Sequence, residues 1–414
     1  MKFIADFHIH SKYSRATSKN MDLESLDKWA KFKGIKVLGT GDFTHPEWFK
    51  NLKEKLEPAE PGLFKIKNQD DAIRFVLTSE ISCIYSKNNR VRKIHIIVFS
   101  PSFKVCEEIN AQLGWIGNLK SDGRPILGLD AKELAKIVLE ASQDCLVVPA
   151  HIWTPWFSLL GSKSGFDSIE ECFEEYSKYI YAVETGLSSD PLMNWRLSAL
   201  DNVALISNSD CHSPHKIGRE ANVFDAELSY PGIVEAIKSR DPEKFLYTIE
   251  FFPEEGKYHY DGHRVCDVRT SPKESKKYNN ICPVCGKPLT IGVLNRVEEL
   301  ADRSENSKPG AIHFKSLIPL EEIIADALGQ GPATKRVEEQ YQNLIKELGN
   351  EFNILLDAPY QSLELATLPE IAQGIIKVRE GKVSLEPGYD GVFGKIKVFS
   401  EGEQKSLTKQ APLF

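Results

Sequence analysis

Residues 1–10 read "MKFIADFHIH", and the fold turns on how they are read. A short apolar strand is expected here, with Asp6, His8 and His10 at its end. His8 and His10 are two residues apart, so on a strand both rings leave the same face. Two imidazoles held against a core each need a polar partner. A shared cation supplies one to both, so the stretch predicts a strand whose carboxyl end carries chemistry.

Working outward, the same arrangement recurs. "IKVLGTGD" (35–42), "RFVLTSEIS" (74–82), "KIHIIVFS" (93–100), "CLVVPAH" (145–151), "IYAVETG" (180–186) and "VALISNSDCH" (203–212) are apolar runs ending in polar residues. Amphipathic segments separate them. One is "DLESLDKWAKFKG" (22–34), with an acidic start, Leu23, Leu26, Trp29 and Ala30 at helical spacing, and a glycine stop. Near-continuous apolar strands alternating with helices imply parallel pairing, and in a barrel of such units the functional residues sit at the strand carboxyl ends. Those ends carry His8, His10, Asp42, His45, Glu80, His95, His151, Asp210 and His212. A lone strand-end histidine is ordinarily a satisfied polar residue. Nine imidazoles and acids on successive strands are a ligand set, and mixed nitrogen and oxygen donors suit Zn, Mn or Fe better than Mg alone.

This ordered set resembles the polymerase-and-histidinol-phosphatase (PHP) family of phosphoesterases over residues 1–250. The resemblance implies an α/β fold, a distorted (β/α)7 barrel holding two or three divalent metals (Zn, Mn, Fe or Mg). By it, His8 and His10 share a metal with Glu80 and Asp210, Glu80 bridges to a second held by His95 and His151, and His212 with Asp42 or His45 serves a third. His8, His10, Glu80, His151 and Asp210 become the catalytic set, hydrolysing a phosphate ester by metal-activated water. In one departure from the family pattern, Asp42 is followed by Phe43 and not by histidine, so His45 or Asp42 itself must act. Arg15 and Arg196 are either phosphate clamps or exposed surface residues.

Residues 251–305 break the alternation. His263 and Cys266 in "GHRVC" and Cys282 and Cys285 in "CPVCG" follow an H-x2-C-x15-C-x2-C pattern, the spacing of a small structural zinc site. His259 is an alternative fourth ligand. The other five cysteines stand singly among apolar neighbours and are expected to be buried free thiols. From 306 to 399 the pattern is mainly helical: "IPLEEIIADALG", "RVEEQYQNLIKELG" and "PEIAQGIIKVREG" each carry one apolar face. Residues 400–414 form a polar tail ending "QAPLF", in which Gln410, Leu413 and Phe414 resemble the bacterial sliding-clamp-binding pentapeptide.

The net charge of −7 argues against nucleic-acid binding if taken alone. Bound metals would offset the clustered carboxylates, and residues 256–303 are locally basic. A small-molecule phosphatase needs no such module, so a polymeric substrate is favoured. "GTGDFTHPEW", "SDGRPILGL", "YHYDGHR", "CPVCGKPLTIGVLNRVEELADR" and "EPGYDGVFG" resemble the endonuclease Q family along nearly the whole chain. That resemblance implies a DNA repair endonuclease, acting on double- or single-stranded DNA. It would nick 5′ to deaminated bases (uracil, hypoxanthine, xanthine) and abasic sites after flipping the lesion. A PHP-type small-molecule phosphatase or DNA exonuclease is the alternative. "GWIGNLKSDGRPILGLD" and "HIWTPWF", with Trp153 and Trp156, either line a base pocket or anchor the core. Without a signal pattern or a run of ~20 apolar residues, the expected location is the cytoplasm, at the nucleoid, with no membrane partner.

Overall fold

The computed structural model describes residues 1–304, 310–400 and 402–403. Seven strands carry the site: β1 (Lys2–Asp6), β2 (Val37–Gly39), β3 (Arg74–Lys87), β4 (Arg90–Ser100), β5 (Leu146–Pro149), β6 (Ala182–Glu184) and β7 (Ala204–Ile206). β1 pairs parallel with β2, β2 with β3, and β6 with β7. The expected wholly parallel order fails at β4, which runs antiparallel to both β3 and β5. The reason is local: Asn88 and Asn89 between β3 and β4 both have positive φ, of 54° and 58°. Two such residues make the tight turn whose twist suits a hairpin. β3 and β4 are therefore one long antiparallel ribbon with no crossover helix, and this is the distortion of the barrel.

The ring closes through side chains. Asn208 Oδ1 accepts from Phe7 N at 2.8 Å, and Asn222 Oδ1 accepts from Ser207 N at 3.0 Å. Beyond β1, the backbone pairs once more where His10 N donates to the Cys211 carbonyl at 3.1 Å. Phe7, Val37, Val76, Ile97, Val148 and Ile206 fill the interior. β8 (Ala221–Asp225) and β9 (Phe245–Glu250) extend the sheet antiparallel from β1, and β10 (His313–Ser316) joins β9 parallel. β10 thus takes residues just past the expected module boundary back to the barrel sheet.

Helix α1 (Leu23–Lys33) starts with the Asp22 side chain accepting from Ser25 N and ends on Gly34 in the left-handed region, a capping that matches its sequence signals. α2 (Pro46–Lys55) and α3 (Phe103–Ile116) also cover the barrel. α4 (Val293–Leu300) belongs to the cysteine-rich module, and α5 (Leu320–Leu328), α6 (Lys335–Leu348), α7 (Tyr360–Ala366) and α8 (Pro369–Arg379) form the helical C-terminal region. That region is tied to the barrel by a buried ion pair, Lys33 with Glu351 at 2.6 Å, and Glu351 also accepts from Tyr341 Oη and Leu320 N. Residues 384–397 return as a hairpin against the module: Tyr260 N donates to Gly388 O, and the Asp390 carboxylate accepts from Arg264 N. Cys83, Cys106, Cys145, Cys172 and Cys211 are buried free thiols. Among the described residues no helix is long and apolar enough to cross a membrane.

Candidate metal centre

The site is built around Glu80 on β3. His8 and His10 follow β1, which ends as regular strand at Asp6. Ligand atoms of His8, His10, Glu80 and Asp210 lie within 4.8 Å of one another, as do those of Glu80, His95 and His151. Glu80 belongs to both groups. Its Oε2 stands 3.2 Å from His10 Nε2 and 3.5 Å from His8 Nε2, while Oε1 stands 2.7 Å from His95 Nδ1 and 3.0 Å from His151 Nε2. The ribbon explains the second group. Ser82 pairs with His95, so Glu80 and His95 are diagonal neighbours on one face, the separation at which long side chains meet across strands.

The imidazoles are aimed by a ring of acceptors behind them. Glu184, fully buried at the end of β6, accepts from His8 Nδ1 at 3.0 Å, from Asn208 Nδ2 at 2.9 Å and from His151 N at 2.8 Å. Asp42 does the same for His10, lying 3.2 Å from its Nδ1, and also accepts from Ser11 N and from the Ser11 and Ser14 hydroxyls. Both Nε2 atoms consequently face Glu80 and Asp210. Such carboxylate–histidine pairs orient metal ligands and raise their basicity. Two glycines make the space: a Cβ at Gly123 would collide with the Asp42 carboxylate, and one at Gly186 (φ +62°) with the His151 side chain.

The electrostatics call for positive charge. Burial alone would lower the His8 pKa, but Glu184, Asp210 and Glu80 hold it well above the usual imidazole range. Burial would raise the Glu80 carboxyl, yet His95, Arg124 and His8 keep it well below its ordinary value. His95 is pushed down to about 4, chiefly by burial and against the pull of Glu80, which favours the neutral imidazole. His8 Nε2 is buried without a hydrogen-bond partner. An orphaned imidazole nitrogen facing two carboxylates is a donor set that fits a divalent cation.

The residues expected to serve a third ion are not gathered into such a group. Both oxygens of Asp42 are taken up by His10, Ser11 and Ser14. His45 stands at the first position before α2 without a side-chain capping bond and stacks on Tyr13, ring centroids 4.5 Å apart. His212 packs its ring 4.6 Å from His10 and turns Nδ1 to the Asp210 carbonyl at 3.0 Å. Of the two candidate clamps, Arg15 is exposed and paired with Asp122 at 3.2 Å, and Arg196 pairs with Glu298 at 2.6 Å. The arginine at the cluster is Arg124, 3.0 Å from Glu80 Oε2. It had no signal beyond its place in the quoted "SDGRPILGL". Glu184 had none either, since a single acid after an apolar strand is common.

In the module, His263, Cys266, Cys282 and Cys285 form a group of the same compactness. Backbone N–H groups of Cys285 and Val284 turn to the Cys282 sulfur and bring its pKa to about 7 against the opposing effect of burial. That favours the thiolate, the form that binds zinc. His259 stacks on Tyr260 outside the group.

The family model of the MJ0043 C-terminal domain matches residues 319–382. The uncharacterized protein MJ0043 of Methanocaldococcus jannaschii is 37% identical over 255 residues, 59% of this chain but 31% of that longer protein. The uncharacterized protein YqxK of Bacillus subtilis is 31% identical over 416 residues, covering 96% of this chain and 99% of its own. Among solved structures, the lesion-specific endonuclease PfuEndoQ from Pyrococcus furiosus superposes with a TM-score of 0.86 at 32% identity, covering 100% of this chain and 98% of that one. The chain belongs to the endonuclease Q family. A second structure, endonuclease Q in complex with a 27-mer duplex bearing an abasic lesion at the active site, matches with a TM-score of 0.84 at 32% identity over 98% of both chains. The likeness of endonuclease Q to this chain thus runs through barrel, module and helical region together. The chain is an enzyme of the hydrolase class, and its clustered donors support divalent metals as cofactors. Gln410, Leu413 and Phe414 lie outside the described residues.

Proposed function

We propose that this protein is a DNA repair endonuclease that cuts the phosphodiester 5′ to uracil, hypoxanthine, xanthine and abasic sites. The observation carrying the reading is Glu80, one buried carboxylate reaching two ligand groups at the mouth of a barrel that matches endonuclease Q from end to end. His8, His10, Glu80 and Asp210 would hold one divalent cation, and Glu80, His95 and His151 a second. Bound there, such cations would acidify a water and offset charge on phosphoryl oxygens.

The chain's own residues supply the remainder. Glu184 and Asp42 hold Nδ1 of His8 and His10, so that each ring turns Nε2 inward as the atom that would meet a cation. Arg124 keeps a guanidinium, 27% exposed, beside Glu80, where it can meet a phosphate entering from solvent. Arg219 donates to the Ser209 carbonyl at 2.8 Å and the Asp210 carbonyl at 3.3 Å, holding the Asp210 backbone in place. Uracil and hypoxanthine share a carbonyl acceptor and a ring N–H where cytosine and adenine carry an amino group, so one pocket of backbone amides and carbonyls can select both. The complex of endonuclease Q with an abasic duplex supports DNA as the substrate class. The zinc site would hold its module together where the local core is small. The terminal Gln410, Leu413 and Phe414 would dock a bacterial sliding clamp.

A nicking assay tests this. Labelled duplexes carrying uracil, hypoxanthine, xanthine or an abasic site, plus an undamaged control and histidinol phosphate, are incubated with Mn²⁺ or Zn²⁺. One nick 5′ to each lesion is expected. Mononucleotide release would indicate an exonuclease, and phosphate release from histidinol phosphate a small-molecule phosphatase.

A further inference from the structure

Trp153 and Trp156 lie three residues apart after β5, yet their environments are opposite. Trp153 is 1% exposed and donates its Nε1 hydrogen to Asn194 Oδ1 at 2.8 Å, so it is a core anchor. Trp156 is 51% exposed. The loop carrying it is nonetheless held tightly. Phe157 O accepts from His95 N at 3.1 Å, and the Phe157 ring lies 4.7 Å from the His95 ring. Thr154 Oγ1 donates to Trp156 O at 2.9 Å and sits 3.3 Å from His151 Nδ1. Farther along, Arg296 of α4 reaches across to the Leu160 and Phe166 carbonyls at 3.1 and 3.2 Å.

Two non-glycine residues in this loop adopt positive φ, His151 at 29° and Phe157 at 63°. An aromatic residue seldom accepts that backbone, and such positions gather at functional sites. The consequence is a loop fixed against both histidines of the second ligand group, through Phe157 on His95 and Thr154 on His151, which presents the Trp156 indole to solvent. Over its ring stands the Lys93 ammonium, 5.1 Å from the centroid. A fixed aromatic face next to a cation is the arrangement that receives single-stranded nucleic acid, with the base on the ring and its phosphate on the charge.

We infer that Trp156 stacks a nucleobase flanking the scissile phosphate while Lys93 neutralises the phosphate beside it, which makes the pair a substrate-positioning platform. The inference rests on the reading of this chain as a DNA endonuclease. Trp156 belongs to neither ligand group, so its role is in holding DNA and not in the bond-breaking step.

The test uses the full-length protein loaded with Mn²⁺, and compares wild type, Trp156→Ala, Trp156→Phe and Lys93→Ala. Each variant is given a uracil duplex and methyl p-nitrophenyl phosphate, a phosphodiester with no nucleobase. For the duplex, Trp156→Ala is expected to raise KM about 5- to 150-fold, the range for one lost base–aromatic stack. Trp156→Phe should restore most of it, and neither change should alter hydrolysis of the small diester. Lys93→Ala should lower the slope of log affinity against log salt by about one. A wild-type KM in Trp156→Ala, or an equal loss on both substrates, would overturn the platform and leave the endonuclease reading standing. Wild type that cleaves the small diester but nicks no lesion DNA would instead remove the endonuclease reading, and the platform with it.

Discussion

Glu184→Gln tests whether the acceptors behind the histidines tune the metal centre. The two Glu184 oxygens meet four contacts: His8 Nδ1 at 3.0 and 3.1 Å, Asn208 Nδ2 at 2.9 Å and His151 N at 2.8 Å. Every one is filled by a carboxylate, which only accepts. A glutamine amide has one oxygen, so in either orientation its NH2 faces a donor. Losing a charge-assisted hydrogen bond at a buried site costs about 1.5–3 kcal/mol. Removing the partner of a metal-ligating histidine typically lowers metal affinity or activity by about 10–100-fold, which is about 1.4–2.7 kcal/mol. The two estimates agree. The Mn²⁺ concentration for half-maximal nicking should therefore rise about 10–100-fold, with the maximal rate recovered at high Mn²⁺. The assay is a Mn²⁺ titration of metal-free protein with a labelled uracil duplex, alongside circular dichroism to confirm the fold. Superimposable titrations of folded Glu184→Gln and wild type would refute the argument that Glu184 acts through His8.

Glu80→Gln should do more, because Glu80 faces both ligand groups; nicking should fall by at least about 100-fold, and the metal content of the purified protein, read by plasma emission, should drop. Cys282→Ser should strip zinc from the module, measurable by the same method, and should impair nicking of duplex DNA more than hydrolysis of methyl p-nitrophenyl phosphate, since the barrel cluster is built from other elements. Glu250 is fully buried, and burial chiefly raises its carboxyl to about 8 although Thr248 and Thr185 donate to it. An acid raised in the folded state contributes stability that is present below its ordinary pKa of 4.5 and is lost as pH rises through about 8. Glu250→Gln, which mimics the protonated form, should flatten the fall in melting temperature across that window; a parallel fall in both proteins would count against it. Deleting residues 410–414 should abolish retention on an immobilised bacterial sliding clamp while leaving nicking of free duplex unchanged.

What could be read from the linear chain was whatever chemistry short range imposes. The quartet of His263, Cys266, Cys282 and Cys285 declares itself because a CxxC turn and its partner half-site lie within about twenty residues, and metal-ligand spacing is a local constraint. The helices α5, α6 and α8 were legible from one-sided apolar periodicity, and the buried faces are the ones expected, among them Ile323, Val337, Tyr341 and Leu344. Polar residues at successive strand ends pointed to a barrel-mouth cluster, although Glu80 and His95 lie inside β3 and β4 and not at their ends.

Direction and partnership were decided only in three dimensions. The Asn88–Asn89 turn reverses β4, and that reversal, which strand composition does not encode, brings His95 diagonally to Glu80. Asp42 has the residue type of a ligand and becomes an acceptor for His10 because Ser11 and Ser14 close around it. Glu184 and Arg124 look ordinary in the chain and matter through contacts 176 and 44 residues away in sequence. Trp153 and Trp156 share a motif, and packing alone sends one into the core and the other into solvent. A residue's type and its near neighbours set which bonds it can make; which of them it does make depends on groups brought close by the fold, and their positions are a property of the whole packed chain.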